Sequence, residues 1–449
     1  MTDKNDNINN IDNINDDFSH LKRFSSIRSS NNIKFLTPAV YSDGWCPMRV
    51  ACNICENIEG LSYLLVGMPE CAIHSRGMNS MPEGENGELR RLYTLDENEV
   101  IFGCRKGVIE ALRVMDKEGS KAILMIATCV TDLIGEDFEG LIEEVQSELN
   151  AKLSFVTLGQ FKNFGSPVGT WKTAEALGSL MRRRQKNNNM ANALFIEPWG
   201  NNSEPVKYPL IVKAMEKRGV KIRKIARGAS LSDYMNAPDS AMNLVLCSYT
   251  QPLAAKMKNA FDIQYAPLHN AYRVDEIDEI YKTIEDTFGI NFDDEFGKWR
   301  EKAVKLEERA YKELKGLKYV MLPGVDMPSA VATYLAGFGM EPIIMHILDL
   351  HNEDIYYAKK LKKFGYDPLV CRIVHIDNDI EIIQRLKPDI SFGWKPDTAA
   401  EDFRCVEEMG DFFGIVGYER TAGLLERIFN VLETGKIGRR VDMHELAPL

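Results

Sequence analysis

The sequence has no excess of basic residues: 55 Lys and Arg stand against 66 Asp and Glu, a formal net charge of −11. A protein that binds nucleic acid through its charge needs cations to displace counterions, so a generic polyanion binder is excluded. No apolar run approaches the about 18 residues that a membrane-spanning helix requires. The opening MTDKNDNINNIDNIN has neither a basic n-region nor an apolar h-region, so no secretory signal is expected and the expected location is cytoplasmic.

The common catalytic signatures are missing as well. No GxxxxGK(S/T) loop occurs, and GTWKTAEALG (169–178) has a Lys-Thr without the preceding glycine spacing. No GxGxxG follows a strand-like run, so neither triphosphate hydrolysis nor dinucleotide binding has its phosphate cradle. GxSxG and HExxH are absent, and the seven His never recur at zinc-ligand spacing. Nine cysteines in a chain without export do not suggest a disulfide framework. Metal binding, catalysis or plain burial remain as their roles.

What is present is a repeated alternation of apolar runs and amphipathic segments. LSYLLVG (61–67), KAILMIAT (121–128), AKLSFVTL (151–158), NALFIEP (192–198), KIRKIA (221–226), NLVLC (243–247) and FDIQYA (261–266) predict strands. So do KYVMLPG (318–324), PIIMHIL (342–348), LVCRIVHI (369–376), DISFG (389–393) and FGIVGY (413–418). Their continuous Val, Ile and Leu content suits parallel strands buried on both faces, with helices between them. A length of 449 residues suggests two to four domains. The expected divisions are a disordered Asn-, Asp- and Ser-rich tail at 1–33, then α/β units at 34–190, 191–316 and 317–414. The segment 415–449, carrying the amphipathic helix TAGLLERIFNVLE, is expected to pack back on the first unit. The charged stretch 294–316 predicts a solvated helix laced with opposite charges.

Cys71 follows the strand-and-turn LLVGMPE, and Cys129 ends ILMIAT before an acidic helix start. Residues leaving the carboxyl ends of parallel strands converge where open α/β sheets bind ligands. With Cys46, 25 residues before Cys71, they make three thiols and no fourth, a set that suits a cluster shared with another chain. Burial in the core is the competing reading for each thiol alone, since free Cys is among the most buried residue types.

Four segments in order carry a family resemblance. WCPMRVACNICENIEGLSYLLVGMPECAIHSRG (45–77), DENEVIFGCRKGVIEAL (96–112), ATCVTDLIGEDFEGLIEEV (127–145) and NFGSPVGTWKTA (163–174) together resemble the cluster-binding region of the nitrogenase component 1 family. The resemblance implies three Rossmann-like α/β domains with parallel sheets around a central cleft. It implies that Cys46, Cys71 and Cys129 bind a bridging iron–sulfur cluster, either an 8Fe-7S double cubane or a 4Fe-4S cluster. Cys104 stands where the family usually has Gly and is expected in the core.

SAMNLVLCSYTQPLAAKMKNAFDIQYA (240–266) is similar to the family segment whose Cys anchors a second metallocluster, which implies Cys247 as a ligand of a possible second iron-containing centre. GFGMEPIIMHILDLHNEDIYYA (337–358) is similar to an alpha-type segment and places His351 as a site candidate beside His74. The chain departs from the alpha type where CVEEMGDFFGIVGYERTAG (405–423) reaches its last Gly turn without a His, which argues against a standard iron–molybdenum cofactor.

The function implied is an oxidoreductase subunit that takes electrons through the bridging cluster and passes them to a substrate or metallocluster in the cleft. Its expected partners are a separate ATP-hydrolysing 4Fe-4S reductase and either a second copy or a beta-type subunit. The alternatives are a scaffold for metallocluster assembly, a tetrapyrrole reductase subunit and a degenerate homologue without metal.

Overall fold

In the computed structural model, residues 18–37, 46–76, 81–162, 165–183, 185–197, 207–374, 376–400, 402–407 and 409–434 are described. The apolar runs form three separate sheets, each built from parallel strands joined through helices. The first sheet has the order Arg90–Thr94, Ser62–Gly67, Ala122–Ala127, Lys152–Thr157. Its two central strands are buried at every position, as continuous apolar runs require. The second sheet has the order Gln264–Ala266, Ser240–Val245, Asn187–Leu194, Lys221–Ile225. The third runs Leu369–Arg372, Glu341–His346, Lys318–Met321, Ile390–Phe392, Cys405–Val406. The α/β architecture with parallel sheets is therefore the one expected.

Several local expectations differ. Of the tail expected to be disordered over 1–33, residues 18–33 are structured, and residues 1–17 lie outside the described residues. Lys22–Arg23 pairs antiparallel with Leu369–Arg372, and Lys34–Phe35 pairs parallel with the same strand. Phe24, Ile27, Ile33 and Leu36 are buried there, so a few well-spaced apolar side chains suffice to anchor a polar segment.

FGIVGY forms no strand. Gly414 and Gly417 take φ of +77° and +84°, and the backbone turns there into helix Tyr418–Thr434. That helix does not pack on the first unit. Its Tyr418 and Ala422 join the second core, with Val416 just ahead of it, and Leu424, Leu425, Ile428 and Phe429 join the third.

Two other edges of the reading shift. The second sheet opens at Asn187, ahead of the expected break at 190. Helix Asp293–Glu313 is solvated on one face only, for Phe296, Trp299, Ala303 and Ala310 are buried on the other. Among the described residues no helix is long and apolar enough to cross a membrane.

Candidate metal centre

Ser62–Gly67 and Ala122–Ala127 are neighbours in the first sheet but not in the chain, and strand order reverses between them. Open α/β sheets bind ligands outside the carboxyl ends of such a pair. Cys71 follows the first strand, on helix Pro69–Arg76, and Cys129 follows the second as the first residue of helix Cys129–Ile134. Cys46 reaches the rim from a third element, immediately before helix Pro47–Glu56. Each of the three thiols is half-buried, whereas Cys52, Cys55, Cys104, Cys247, Cys371 and Cys405 are all buried; all nine are free.

Close packing holds the rim. Thr128 Oγ1 donates to the Val66 carbonyl at 3.0 Å, crossing the point where strand order reverses. A Cβ at Gly67 would lie 2.1 Å from that Oγ1, so only glycine lets the two strand ends approach. The backbone N–H of Gln160 donates to Cys129 Sγ at 3.3 Å. A Cβ at Gly169 would lie 2.4 Å from the Pro47 carbonyl oxygen, so helix Gly165–Leu177 presses directly on the turn that carries Cys46. Burial pushes the Cys46 thiol above its ordinary value, outweighing the Met48 and Arg49 N–H groups that favour the thiolate; the charges of Cys129 and Cys71 push it the same way.

Among the described residues, no three His, Cys, Asp or Glu side chains are placed to share one metal ion. An iron–sulfur cluster spreads its thiolates around several irons and requires soft ligands, and the half-exposed rim of three thiols fits it. Exposed large apolar side chains stand on the same elements: Ile73 (76% exposed) on the helix of Cys71, Leu133 on the helix that Cys129 opens, Phe161 (74%) next to Gln160, and Ile101 and Phe102 (83%) on the adjoining helix Glu97–Phe102. Large exposed apolar patches of this kind mark interaction surfaces.

The other sequence candidates fall elsewhere. Cys104 donates both its N–H and its thiol to Glu136 Oε2, at 2.7 and 3.4 Å, and burial pushes the thiol up to about 12, so it is a core residue as expected. Cys52 and Cys55 lie inside the first core. His74 is on helix Pro69–Arg76, with its side chain outside the described residues. His351 is not at the rim. It precedes helix Asn352–Lys363, and its ring lies edge-on to Trp171 at 6.4 Å between centroids, at a seam between the first and third units.

Cys247 occupies the equivalent reversal point of the second sheet, but there the crevice is shut. Its thiol is fully buried and donates to the Ile196 carbonyl at 3.5 Å across that point. Thr250 Oγ1 makes a parallel bond to the Leu194 carbonyl at 3.2 Å. Burial, reinforced by the negative charge of Asp326, pushes the Cys247 thiol up to about 12. One fully buried thiol, engaged with the Ile196 carbonyl and beside a carboxyl group, does not fit a second anionic metallocluster.

Gln160, the Gly67–Thr128 contact and the apolar ring are parts of the rim that the sequence reading missed. The pairing of Gly67 with Thr128 depends on strand register, which the sequence does not display.

A family model described as nitrogenase component 1 type oxidoreductase matches residues 46–433. The chain is 23% identical over 312 residues to a nitrogenase iron-molybdenum cofactor biosynthesis protein NifE of Clostridium pasteurianum, covering 67% of each chain. It is 24% identical to a protein of the same name from Methanococcus maripaludis, covering 66% of this chain and 62% of that one. The match to another from Nostoc sp. is 23% over 370 residues, covering 78% and 74%. The chain thus spans about two thirds of the first two relatives' length. Its fold is similar to a solved chain titled nitrogenase Cp1 at pH 6.5, with a TM-score of 0.61 at 14% identity over 88% of this chain and 94% of that one.

Proposed function

This chain belongs to the nitrogenase component 1 type oxidoreductase family, and from that premise we propose that it is an iron–sulfur scaffold subunit serving metallocluster assembly. The observation that supports the reading is the contrast among the thiols: Cys46, Cys71 and Cys129 are half-buried and the other six are buried, and Cys71 and Cys129 follow the two strands of one reversal point. The three would hold a 4Fe-4S or larger cluster as thiolates, and a second subunit, either a copy or a distinct beta-type chain, would seat on the apolar ring and complete the ligation. A bound cluster would supply one-electron chemistry. The chain's own work is to place three soft ligands, exclude water around them and present them to the partner.

The likeness to proteins named for cofactor biosynthesis favours the scaffold over a substrate-reducing subunit. A tetrapyrrole reductase would share the rim and is separated by activity. Because no phosphate loop is present, ATP hydrolysis coupled to electron supply would fall to a separate reductase.

Anaerobic iron analysis tests the reading. Cys46→Ala, Cys71→Ala and Cys129→Ala should each lose iron relative to the parent complex, while Cys104→Ala should retain it. Equal iron in Cys71→Ala and the parent discards the assignment. Transfer of iron and sulfide to an acceptor apoprotein supports the scaffold; sustained reduction of a tetrapyrrole with a reductase present replaces it by the enzyme reading.

A further inference from the structure

The reversal points of the first and second sheets have the same topology and opposite finish. In the first, Thr128 makes the crossing bond and leaves Cys129 half-exposed beyond it. In the second, Cys247 makes a crossing bond itself, and the next residue, Ser248, donates through Oγ to Asp326 Oδ1 of the third unit at 2.6 Å. Further ties join the second unit to the third: His269 Nε2 lies 2.9 Å from Glu353 Oε2, and Asn270 Nδ2 donates to Glu353 Oε1 at 2.9 Å. From the first unit, Trp171 Nε1 donates to Asp349 Oδ2 at 2.9 Å.

Carboxyl groups of the chain already occupy this seam. Helix N-termini favour anions, and helices Pro328–Gly337 and Asn352–Lys363 both begin here. Asp326 stands just before the first of them. Asp354, which accepts the His351 backbone N–H at 2.7 Å, caps the second. Burial pushes Glu353 up, but His269 beside it outweighs this and holds it below the usual carboxylate range. An anionic cluster brought to Cys247 would meet the carboxyl group of Asp326, would have to break the bond to Ile196, and would find one thiol.

We propose that the seam around Cys247 and Asp326 is a hydrogen-bonded lock between domains, and that the chain carries a single metal centre, the one at the Cys46–Cys71–Cys129 rim. The lock is independent of the rim reading except in what the rim itself holds, and the tests separate the two. The complex is reconstituted anaerobically with excess iron and sulfide, and iron per chain is measured for the parent, Cys247→Ala and Cys71→Ala. Cys247→Ala should keep the parent's iron and electron paramagnetic resonance spectrum while its urea midpoint falls. Iron lost from Cys247→Ala overturns the single centre; iron retained in Cys71→Ala overturns the rim as that centre, and the bond between the domains is then judged by the cycle below.

A second measurement holds even if the parent takes up no iron. Ser248→Ala and Asp326→Asn, singly and together, form a double-mutant cycle in urea unfolding. The double variant should shift the midpoint by clearly less than the two single shifts combined. Additive shifts overturn the lock.

Discussion

Glu419 Oε1 accepts the backbone N–H of Leu210 at 3.3 Å, joining the first turn of helix Tyr418–Thr434 to the first turn of helix Leu210–Lys217. It belongs to a run in which each side chain has a partner in the second unit. Tyr418 Oη donates to Asp278 Oδ1 at 2.6 Å, Arg420 donates to three carbonyls, and Thr421 Oγ1 donates to the Tyr272 carbonyl at 2.6 Å. The sequence GYERT is thus the clasp by which the last helix grips the segment 268–278.

Glu419 gives that clasp a pH dependence. Burial pushes its carboxyl from 4.5 up to about 7, against the opposing pull of its backbone bonds and of Arg420 and Lys213. The folded state therefore holds this proton more tightly than the unfolded state. Stability is fullest below the unfolded value and falls as pH rises toward 7, by an amount on the order of 3 kcal/mol at about 1.4 kcal/mol per pH unit. Glu419→Gln should flatten that slope and be more stable than the parent at pH 8 but not at pH 4.5. Urea midpoints of both proteins across this range check it, and parallel slopes would refute the assignment.

Arg420 contributes by geometry as well as charge. Its guanidinium donates to the carbonyls of Leu268, His269 and Ala271 and lies over the Tyr272 ring at 3.9 Å. A lysine keeps the charge but lacks the planar fork. Arg420→Lys should therefore cost about 3 kcal/mol, the scale of losing one or two charged hydrogen bonds at a buried site. Denaturant unfolding measures it; a loss within about 0.5 kcal/mol, as at ordinary surface sites, would remove the clasp from the account.

Most of the fold was legible because its central strands are apolar on both faces. LSYLLVG and KAILMIAT carry that signal without interruption. Where the signal came from elsewhere it was lost. Arg90–Thr94 is a half-exposed edge strand of sequence RRLYT, and its charges conceal it. FGIVGY has strand composition, yet its two left-handed glycines turn the backbone. The anchoring of residues 18–36 rests on apolar side chains set in a polar segment, which composition averages away. At the rim, Cys46, Cys71 and Cys129 could be named from motifs, but the state of each thiol depends on packing. Cys129 and Cys247 both follow strands at reversal points. Only the three-dimensional contacts distinguish the half-exposed thiol from the one bonded to Ile196.

The approach of helix Gly165–Leu177 to Pro47 gives a steric test. An alanine at Gly169 would set its Cβ 2.4 Å from a backbone oxygen, which no side-chain rotation relieves. Gly169→Ala should destabilise the chain by roughly 1–3 kcal/mol, the usual cost of overpacking. It should also lower iron retention, because the displaced turn carries Cys46. A variant with unchanged unfolding midpoint and unchanged iron would show that the turn can move without affecting the site.

The apolar ring supplies the test of association. Phe102 and Ile73 project into solvent near the rim and make little contribution to their own core, so a charge at either position should leave folding nearly intact. At an interface the same charge would be buried without a partner, a far larger penalty. Phe102→Asp and Ile73→Asp should therefore leave the far-ultraviolet spectrum and urea midpoint close to the parent's while weakening association at least tenfold, read by sedimentation under anaerobic conditions. Iron should fall with association if, as proposed, the partner completes the ligation of the three thiols. Tyr311, half exposed on helix Asp293–Glu313 in a different part of the chain, serves as the control: Tyr311→Asp should alter neither association nor iron. If the Phe102 and Ile73 variants associate as the parent does, the partner seats elsewhere and the ring is not its contact.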